Sequence, residues 1–380
     1  MKKSKLSFLI ILLLALLLSA CRKSQTDLPA SSPDPAINET ISLVAVGDNL
    51  LHMPVINSGK QADGTYDYSH LFSKLQPIFK DADLAVIGQE TVFGGAHLGY
   101  SGYPLFNSPS DMGKTLANEG FDIVLHASNH VLDKWASGIE NTLKFWEDYP
   151  QITVLGINRS AQDKQIVDII DVKGAKLAVL NYTYGTNGLV LPEDKKYLVN
   201  YIDSEKIKQD ALFAEENADF TIAFMHWGTE YSTSPDDMQK NLCKDMCEWG
   251  IDLVIGAHPH VIQPVEWYTA ESGNQMLVYY SLGNYVSRQL EARNLLGGLA
   301  NIELKYSGDR VYIHDYSFIP IVTHYSTAFS DFAVYALKDY SDALAAGHGV
   351  ASRDGAVSVK RWRDMVVSIF EGYESICVDY

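Results

Sequence analysis

The 380-residue sequence predicts an α/β fold with a cluster of polar side chains along one edge of its sheet. Two observations support this prediction. Short apolar runs alternate with segments of helical spacing along most of the chain, which is the pattern of α/β proteins. Several of these runs end directly in a histidine, a carboxylate or an amide, and ligands of open α/β sheets bind at the carboxyl ends of the strands.

The first 40 residues predict a targeting segment and a linker. A basic start, residues 1–5, precedes an apolar run over 6–18 that is too short to span a membrane comfortably. The sequence Leu18-Ser19-Ala20-Cys21 resembles the lipobox of bacterial lipoproteins, which implies removal of a signal peptide, residues 1–20, and acylation of Cys21. The alternative is an ordinary cleaved signal with an incidental cysteine. Residues 21–40 predict a disordered tether, so we expect an extracytoplasmic protein anchored to the cell membrane by lipid.

Composition and charge indicate a globular protein and argue against a nucleic-acid-binding function. The chain is 47% hydrophobic and 20% charged, as in globular proteins, and its formal net charge is -17. Such a chain does not bind nucleic acid through a general basic surface, so we expect no nucleic-acid partner. Cys243 and Cys247 lie four residues apart on a predicted helix, and no Cys-x-x-Cys metal motif is present, so we expect buried or incidental thiols.

The body of the chain alternates between predicted strands and predicted helices up to about residue 290. The predicted strands are 41–46, 83–87, 121–125, 152–156, 166–172, 176–182, 220–225, 252–255 and 275–280. The predicted helices are 69–80, 110–119 with Ser110 as its cap, 134–149, 204–217 and 235–249. We therefore expect one domain over residues 41–290.

Residues 291–380 predict a C-terminal α+β extension that packs on the same domain. Its predicted elements are an antiparallel strand pair, 299–306 and 311–321, around a turn at Gly308-Asp309, followed by two helices, 332–346 and 358–372. The histidines of this extension, at positions 314, 324 and 348, are expected to be structural or at the surface.

Five of the predicted strands carry a metal-ligand type where they end. The residues are Asp48 and His52 after the first strand, Glu90 after the second, Asn129 and His130 after the third, His226 after the strand over 220–225, and His258 and His260 after the strand over 252–255. Each signal is weak alone, because polar residues are common in turns. Five strand ends together make a set of unrelated loop residues improbable.

His258 and His260 flank Pro259, which fixes its own φ and holds the geometry of the pair. Alternate residues of an extended backbone point the same way, so the two rings can aim at one point, or straddle it where the chain turns. Imidazole is the commonest metal-ligating side chain. Taken alone, this motif is better explained as two loop histidines beside a turn proline. The ligand types at the other four strand ends favour metal binding instead.

The combined set contains nitrogen and oxygen ligands and no thiolate, which suits a pair of divalent ions such as Mn, Fe, Zn or Mg. Two ions about 3.5–4 Å apart can share a bridging carboxylate and activate water for in-line attack on phosphorus. A histidine beside them can protonate the leaving oxygen or stabilise developing charge. The sequence therefore predicts a metal-dependent hydrolase, most simply a phosphoesterase.

Six short motifs occur in the order seen in bacterial CapA-type poly-γ-glutamate capsule synthesis proteins, a family that resembles a branch of the calcineurin-like metallophosphoesterases. The resemblance covers about residues 41–290 and implies a four-layer α/β sandwich. The motifs are Gly47-Asp48, Gln89-Glu90-Thr91, Ser128-Asn129-His130 with Asp133, His226-Trp227-Gly228, His258-Pro259-His260-Val261 and Ser281-Leu282-Gly283-Asn284.

The resemblance also implies a role for each residue of the site. Asp48 and His260 would bind one metal, while Asn129, His226 and His258 would bind the other. Glu90 would bridge the two ions. The remaining implied residues are His130 and Asp133 in catalysis, His52 as a further ligand, and Glu230 and Asn284 in substrate binding.

Three departures from the family pattern concern neighbours of these residues. The superfamily's first motif is Asp-x-His, whereas His52 stands four residues after Asp48. Gly88-Gln89-Glu90 replaces a common Asn-Leu-Glu, and Ser128-Asn129-His130 replaces Asn-Asn-His. The last two keep the ligand and change the residues that support it.

Two functions remain open from the sequence. The first is a surface-anchored, metal-dependent hydrolase. The second is a non-catalytic component of a capsule or envelope polymer assembly or export complex, with polymer-synthesis membrane proteins as its partners. A third class, a solute-binding lipoprotein, is disfavoured by the histidine-rich strand ends. Fold and ligands do not fix a substrate, so the sequence does not choose between the first two.

Overall fold

Two mixed β-sheets form the centre of the structure, a computed structural model that describes residues 39–306, 310–373 and 377–379. The predicted signal peptide, Cys21 and the tether up to residue 38 lie outside the described residues, as does the predicted turn at Gly308-Asp309. The described residues form one compact unit. None of the helices described has the length and hydropathy of a membrane span.

The strands of the described residues follow the apolar runs of the sequence closely. They are β1 (Glu39–Asn49), β2 (Leu84–Gly88), β3 (Ile123–Leu125), β4 (Thr153–Leu155), β5 (Asp168–Val172), β6 (Ala175–Thr183), β7 (Phe220–His226), β8 (Leu253–Ala257), β9 (Val265–Thr269), β10 (Gln275–Tyr279), β11 (Asn284–Val286), β12 (Leu296–Tyr306), β13 (Val311–His324), β14 (Ala333–Ala336) and β15 (Cys377–Val378). The sequence did not predict β9, β11, β14 or β15.

The helices lie between these strands. They are α1 (Met53–Ser58), α2 (Ser69–Phe72), α3 (Gln76–Asp81), α4 (Asp111–Glu119), α5 (Trp135–Trp146), α6 (Ser204–Asn217), α7 (Asp237–Glu248), α8 (Asp342–Ala346), α9 (Ala351–Asp354) and α10 (Val359–Phe370). Short 3₁₀ turns occupy Ala96–Leu98, Asp163–Gln165, Glu193–Leu198, Ala292–Leu295 and Leu337–Asp339.

The first sheet has the strand order β14-β13-β12-β1-β2-β3-β4. Strands β1 to β4 run parallel, so their carboxyl ends share one edge. Strand β12 pairs antiparallel with β1 over most of its length, and β13 and β14 continue that side. The short β11 pairs parallel with the end of β1, opposite Asp48. Residues beyond 290 thus contribute strands to the same sheet as β1.

The second sheet has the order β5-β6-β7-β8-β10-β9. Strands β6, β7, β8 and β10 are parallel, and an antiparallel strand closes each side. Alternate residues divide between two cores, as expected for a strand buried on both faces. Phe224 packs in the core shared with the first sheet, whereas its neighbour Met225 packs in the core formed with α6 and α7.

Helices α2, α3 and α4 pack against the first sheet through buried side chains such as Phe72, Phe79 and Leu116. The layers are therefore helices, sheet, sheet and helices, and the predicted four-layer α/β sandwich is confirmed. Cys243 and Cys247 are buried free thiols on α7, as expected.

Two predicted helices differ from the structure. The helix predicted over residues 69–80 is broken into α2 and α3, because Pro77 lacks an amide hydrogen and its ring clashes with the preceding turn. The helix predicted over 332–346 is wrong, since Ala333–Ala336 instead pairs with the edge of β13 and only Asp342–Ala346 is helical. Ser110 stands at the start of α4, but its side chain makes no capping hydrogen bond.

A close backbone contact fixes β8 against the end of β10. A Cβ atom added to Gly256 would lie 2.0 Å from the carbonyl oxygen of Tyr280 and 2.5 Å from Nε1 of Trp227. That indole nitrogen donates to the same carbonyl at 3.0 Å. Only glycine therefore fits at position 256 without separating the two strands.

We predict that Gly256→Ala lowers the free energy of unfolding by about 1–3 kcal/mol, because the methyl group overpacks this contact. Urea denaturation followed by circular dichroism measures the effect. Gly185→Ala is the matched control, since nothing lies within 4 Å of the Cβ that it adds. Equal stability of the two variants would contradict the contact.

Candidate metal centre

The predicted ligands come together where the carboxyl ends of both sheets meet. Asp48 lies at the end of β1, and Glu90 follows β2 by two residues. His226 is the last residue of β7 in the second sheet, and His258 directly follows β8. Asp48 and His226 lie close together, so the site joins the two sheets.

Asp48 and Glu90 lie between two of the histidines. Oδ1 of Asp48 is 3.6 Å from Nδ1 of His226, and its Oδ2 is 3.6 Å from Nδ1 of His260. Oε1 of Glu90 is 3.8 Å from Nε2 of both rings. Two atoms that each lie about 2.1 Å from one ion are at most about 4.2 Å apart. The two separations from Glu90 to Nε2 are therefore too long for hydrogen bonds but short enough for each ring to share an ion with Glu90.

Ligand atoms of Asp48, Glu90 and His260 all lie within 4.8 Å of one another, and all three residues are buried. Both carboxylate oxygens of Glu90 are buried and have no hydrogen-bond partner among the described residues, and the same holds for Nδ1 of His258. An unpartnered buried carboxylate is unfavourable unless a cation neutralises it. These orphaned atoms and the donor set fit a bound divalent ion.

Asn129 and His258 form a second group around His226. Oδ1 of Asn129 is 2.9 Å from Nε2 of His226, and the ring centroids of His226 and His258 are 4.9 Å apart. Asn187, which the sequence did not single out, accepts a hydrogen bond of 3.2 Å from Nδ2 of Asn129. This bond fixes the amide so that its oxygen faces His226.

The backbone turns sharply at the histidine pair rather than staying extended. His258 has φ +97° and His260 has φ +57°, values that cost about 1–3 kcal/mol for residues other than glycine. The amide of His258 donates to Oδ2 of Asp48 at 3.0 Å, and the amide of Tyr231 donates to the carbonyl of Pro259 at 2.8 Å. The strained turn is thus held by the site itself, and the pair straddles it.

Asn284 orients His260 from behind. Its Oδ1 lies 2.9 Å from Nδ1 of the ring, while its Nδ2 donates to the carbonyl of Asn294 at 2.8 Å and to Oε1 of Gln289 at 2.9 Å. Accepting the hydrogen of Nδ1 leaves the lone pair of Nε2 directed at the Glu90 side. Asn284 is 1% exposed and orients the ring, while its predicted substrate contact stays a prediction.

His52 lies outside the ligand group. Its Nδ1 accepts a hydrogen bond of 3.3 Å from the amide of Arg288, and its ring packs edge-on against Phe106 with centroids 5.3 Å apart. Burial lowers the pKa of His52 to about 4, and the charges of Arg288 and His130 add to this effect. The ring thus lies against Phe106 and outside the group of Asp48, Glu90 and His260, and its role as a ligand stays a prediction.

His130, the predicted catalytic histidine, is held by a buried carboxylate. Its Nδ1 lies 2.7 Å from Oδ2 of Asp133, which also accepts the amide hydrogen of Phe106 at 2.7 Å. The ring of Phe106 packs edge-on against His130 with centroids 4.7 Å apart. Nδ1 is thereby occupied, and Nε2 is the atom available for proton transfer.

Two tyrosines at the rim were missed by the sequence analysis. The ring centroid of Tyr184 is 4.4 Å from that of His258, and the centroid of Tyr231 is 6.1 Å from that of His260. Both side chains are about two-fifths exposed, at 43% and 40%. Tyr184 directly follows β6, so the strand-end rule that selected the ligands also points to it. Glu230, predicted to contact substrate, is exposed beside Tyr231.

Burial dominates the electrostatics of the cluster. It raises the pKa of Asp48 to about 7 and that of Glu90 well above its usual range, with the charges of Asp48, Asp133 and Glu230 adding to the shift of Glu90. Burial also lowers the pKa of His258 and of His260 to about 3. The histidines are therefore neutral at pH 7, which is the form that binds metals.

Comparison with known proteins places the chain among capsule proteins. The family model described as "Bacterial capsule synthesis protein PGA_cap" matches residues 42–289. The chain is 26% identical over 286 residues to the "PGA biosynthesis protein CapA" of Bacillus subtilis (strain 168), covering 71% of this chain and 70% of that protein. It is 24% identical to the "Capsule biosynthesis protein CapA" of Bacillus anthracis, covering 72% of this chain and 66% of that protein.

Among solved structures, the calcineurin-like phosphoesterase YfkN from Bacillus subtilis has a similar arrangement. The TM-score is 0.43 at 12% sequence identity, and the superposition covers 87% of this chain and 98% of that one.

We predict that Asp48→Asn stabilises the chelator-treated protein at pH 8 and has less effect at pH 5. Folded Asp48 keeps its proton up to about pH 7, whereas the unfolded residue releases it near about pH 4. Its stabilising contribution is complete below about pH 4 and is lost as the pH rises through about 7. The asparagine of the variant does not ionise and causes no such loss. The variant therefore exceeds the wild type in its free energy of unfolding by an amount that grows with pH.

Urea denaturation with EDTA at pH 5, 6.5 and 8 measures this difference. Saturating Mn²⁺ at pH 8 is the control, because a bound cation favours the carboxylate and should make the wild type the more stable protein. A pH-independent difference between the two proteins would refute the assignment.

Proposed function

The chain belongs to the family of bacterial capsule synthesis proteins PGA_cap, and on this basis we propose that it is a metal-dependent hydrolase of phosphate esters that acts at the cell surface. One observation carries the proposal. Glu90, whose two buried carboxylate oxygens have no partner among the described residues, lies between Asp48, His226 and His260. If two adjacent cations were bound, a buried carboxylate in this position would be shared between them.

The residues divide into two ligand groups. Asp48, Glu90 and His260 would hold one ion, and Glu90, Asn129, His226 and His258 would hold the other. Mn, Fe, Zn and Mg all suit this nitrogen and oxygen set. When bound, such ions supply Lewis-acid chemistry, which neutralises phosphate charge and lowers the pKa of water. Asn284 and Asn187 then act through the ligands that they orient.

His130 supplies the proton for the leaving oxygen. The carboxylate of Asp133 accepts the hydrogen of Nδ1 and stabilises the protonated ring, so that Nε2 can donate. Phe106 fixes the plane of the imidazole and shields it from water on one side. The exposed rings of Tyr184 and Tyr231 border the entrance and offer apolar surface to the rest of the substrate.

We further propose that the protein is anchored by acylated Cys21 at the outer face of the cell membrane. The order of basic start, apolar run, small residues and cysteine supports this proposal. A tether before β1 would hold the folded body clear of the lipid surface. Membrane proteins of capsule or envelope polymer synthesis are the partners that this location would offer.

A second function is suggested by the names of the relatives, which refer to biosynthesis rather than hydrolysis. The fold would then bind or guide an envelope polymer within an assembly or export complex without turning it over. Bound metal in the absence of phosphoesterase activity would favour this function.

We predict that the folded body from about residue 39, purified without chelator, contains close to two metal ions per chain and hydrolyses phosphate esters when Mn²⁺ is added. His130→Ala should reduce kcat by about 100-fold or more while metal stays bound, because proton transfer is worth that factor. His258→Ala should lower metal occupancy. Elemental analysis and turnover of phosphomonoesters and phosphodiesters measure both effects.

His314→Ala is the control for these substitutions, since this histidine is exposed on β13. Unchanged metal content after replacing His226, His258 and His260 together would rule out the site. Equal loss of metal in the His130 and His258 variants would show that His130 is a ligand and not the proton donor.

We predict that Cys21→Ser moves the full-length protein from the detergent phase to the aqueous phase in Triton X-114 partition of bacterial cells. The substitution removes the thiol that would carry the lipid, and lipid binds membranes by burying methylene groups. Labelling with radioactive palmitate should likewise be lost. Cys243→Ser is the control, because this thiol is buried in the fold. Continued labelling of the Cys21 variant would exclude the anchor.

A further inference from the structure

Arg288 stands at the same sheet edge as the candidate metal centre but belongs to none of its ligand groups. It follows β11, the short strand that pairs with the end of β1 opposite Asp48. Its amide donates to Nδ1 of His52, whose ring packs on Phe106, and Phe106 in turn packs on His130. The residue therefore borders the site on the side of the proton donor.

The segment that carries Arg288 is held firmly in place. The residue after it, Gln289, accepts a hydrogen bond of 2.9 Å from Nδ2 of Asn284, which orients the His260 ring. The hydroxyl of Tyr325 donates to the carbonyl of Gln289 at 3.2 Å. The guanidinium itself lies over the ring of Phe329, 4.2 Å from its centroid. A side chain held in this way loses little entropy when it binds a ligand.

Arg288 has no acidic side chain paired with it among the described residues. Arg293 is paired with Glu291, and Arg361 is paired with Asp354. Arg288, in contrast, forms no ion pair in the part of the chain that the structure describes, and its Nε is buried without a hydrogen-bond partner. Buried donors of an ionised group are costly to leave unmatched. No carboxylate of the described residues fills this position.

His52 positions the backbone of Arg288. Its Nδ1 accepts the amide hydrogen of Arg288 at 3.3 Å, and the ring also forms a hydrogen bond with the backbone of Leu50. These contacts fix the point from which the Arg288 side chain starts. A planar guanidinium without an ion pair among the described residues matches the geometry of a carboxylate or a phosphate.

We propose that Arg288, with its backbone held by His52, forms a subsite for a second anionic group of the substrate, a carboxylate or a phosphate, next to the ester that is cleaved at the metal centre. The subsite rests on the proposed hydrolase function and sets its substrate class: esters whose alcohol part carries its own negative charge. His52 acts here as a positioning residue.

The experiment compares binding of phosphonates, which are not hydrolysed, to the Mn²⁺-loaded protein by calorimetry. Phenylphosphonate carries one anionic group, while its 3- and 4-carboxy derivatives and the corresponding phenylenediphosphonates carry a second. The wild type should bind the best doubly charged probe at least about tenfold more tightly than phenylphosphonate, as charge-assisted hydrogen bonds allow. Comparison of the carboxy and diphosphonate series identifies which anion the subsite takes.

Arg288→Gln should abolish this preference and leave the affinity for phenylphosphonate unchanged. Arg363→Gln, which removes an exposed arginine from α10, should retain the preference for the doubly charged probes. A preference that survives in the Arg288 variant would overturn the subsite. The subsite would also be overturned if the Arg288 variant lost affinity equally for all probes and had a lower Tm, because the guanidinium would then serve only to hold Phe329.

The proposed function is tested separately by hydrolysis of phenyl phosphate and 4-carboxyphenyl phosphate. If the wild type binds the doubly charged phosphonates more tightly but cleaves neither ester, the hydrolase proposal is refuted and the anion subsite is supported. If the wild type binds no phosphonate at all, the subsite is overturned as well.

Discussion

The site depends on two carboxylates, Asp48 and Glu90, that are removed from water at the junction of the two sheets. Each comes from a strand of the first sheet, and the histidines opposite them come from the second. Without a cation, burial holds both carboxyl groups towards their protonated forms. A bound cation would satisfy Asp48, Glu90 and the neutral histidines at once, and the same interaction would then join the two sheets.

Much of this arrangement follows from the sequence because the ligands lie within a few residues of buried strands. Asp48, His226 and His258 are fixed in space by apolar runs whose identity as strands is clear locally, and parallel strands align their ends. Contacts made by distant segments were not predictable. The hydrogen bond of His52 with the amide of Arg288 joins residues far apart in the sequence. The strand at Ala333–Ala336, predicted as helix, forms because the edge of β13 accepts it. Local propensity yields to such tertiary pairing.

The turn at His258 and His260 connects strain with coordination. Two residues with positive φ are kept in place by Asp48, which accepts the amide of His258 and also faces the ring of His260. Asp48 thus shapes the loop that presents its fellow ligands. The strained backbone lies at the two histidines whose position matters most for binding an ion. Asn284 and Tyr231 also contact this turn and help to hold it in place.

The pairing of β1 with β12 has a consequence for how the protein reaches its folded state. β1 begins the described chain, yet its antiparallel partner is made only when residues 296–306 have been synthesised. Until then, one side of β1 is an open hydrogen-bonding edge flanked by apolar side chains, and such edges attract other chains. Contacts so distant in sequence form slowly. The carboxyl end of β1 pairs instead with β11, residues 284–286, so Asp48 likewise gains this partner only after most of the described chain has been synthesised.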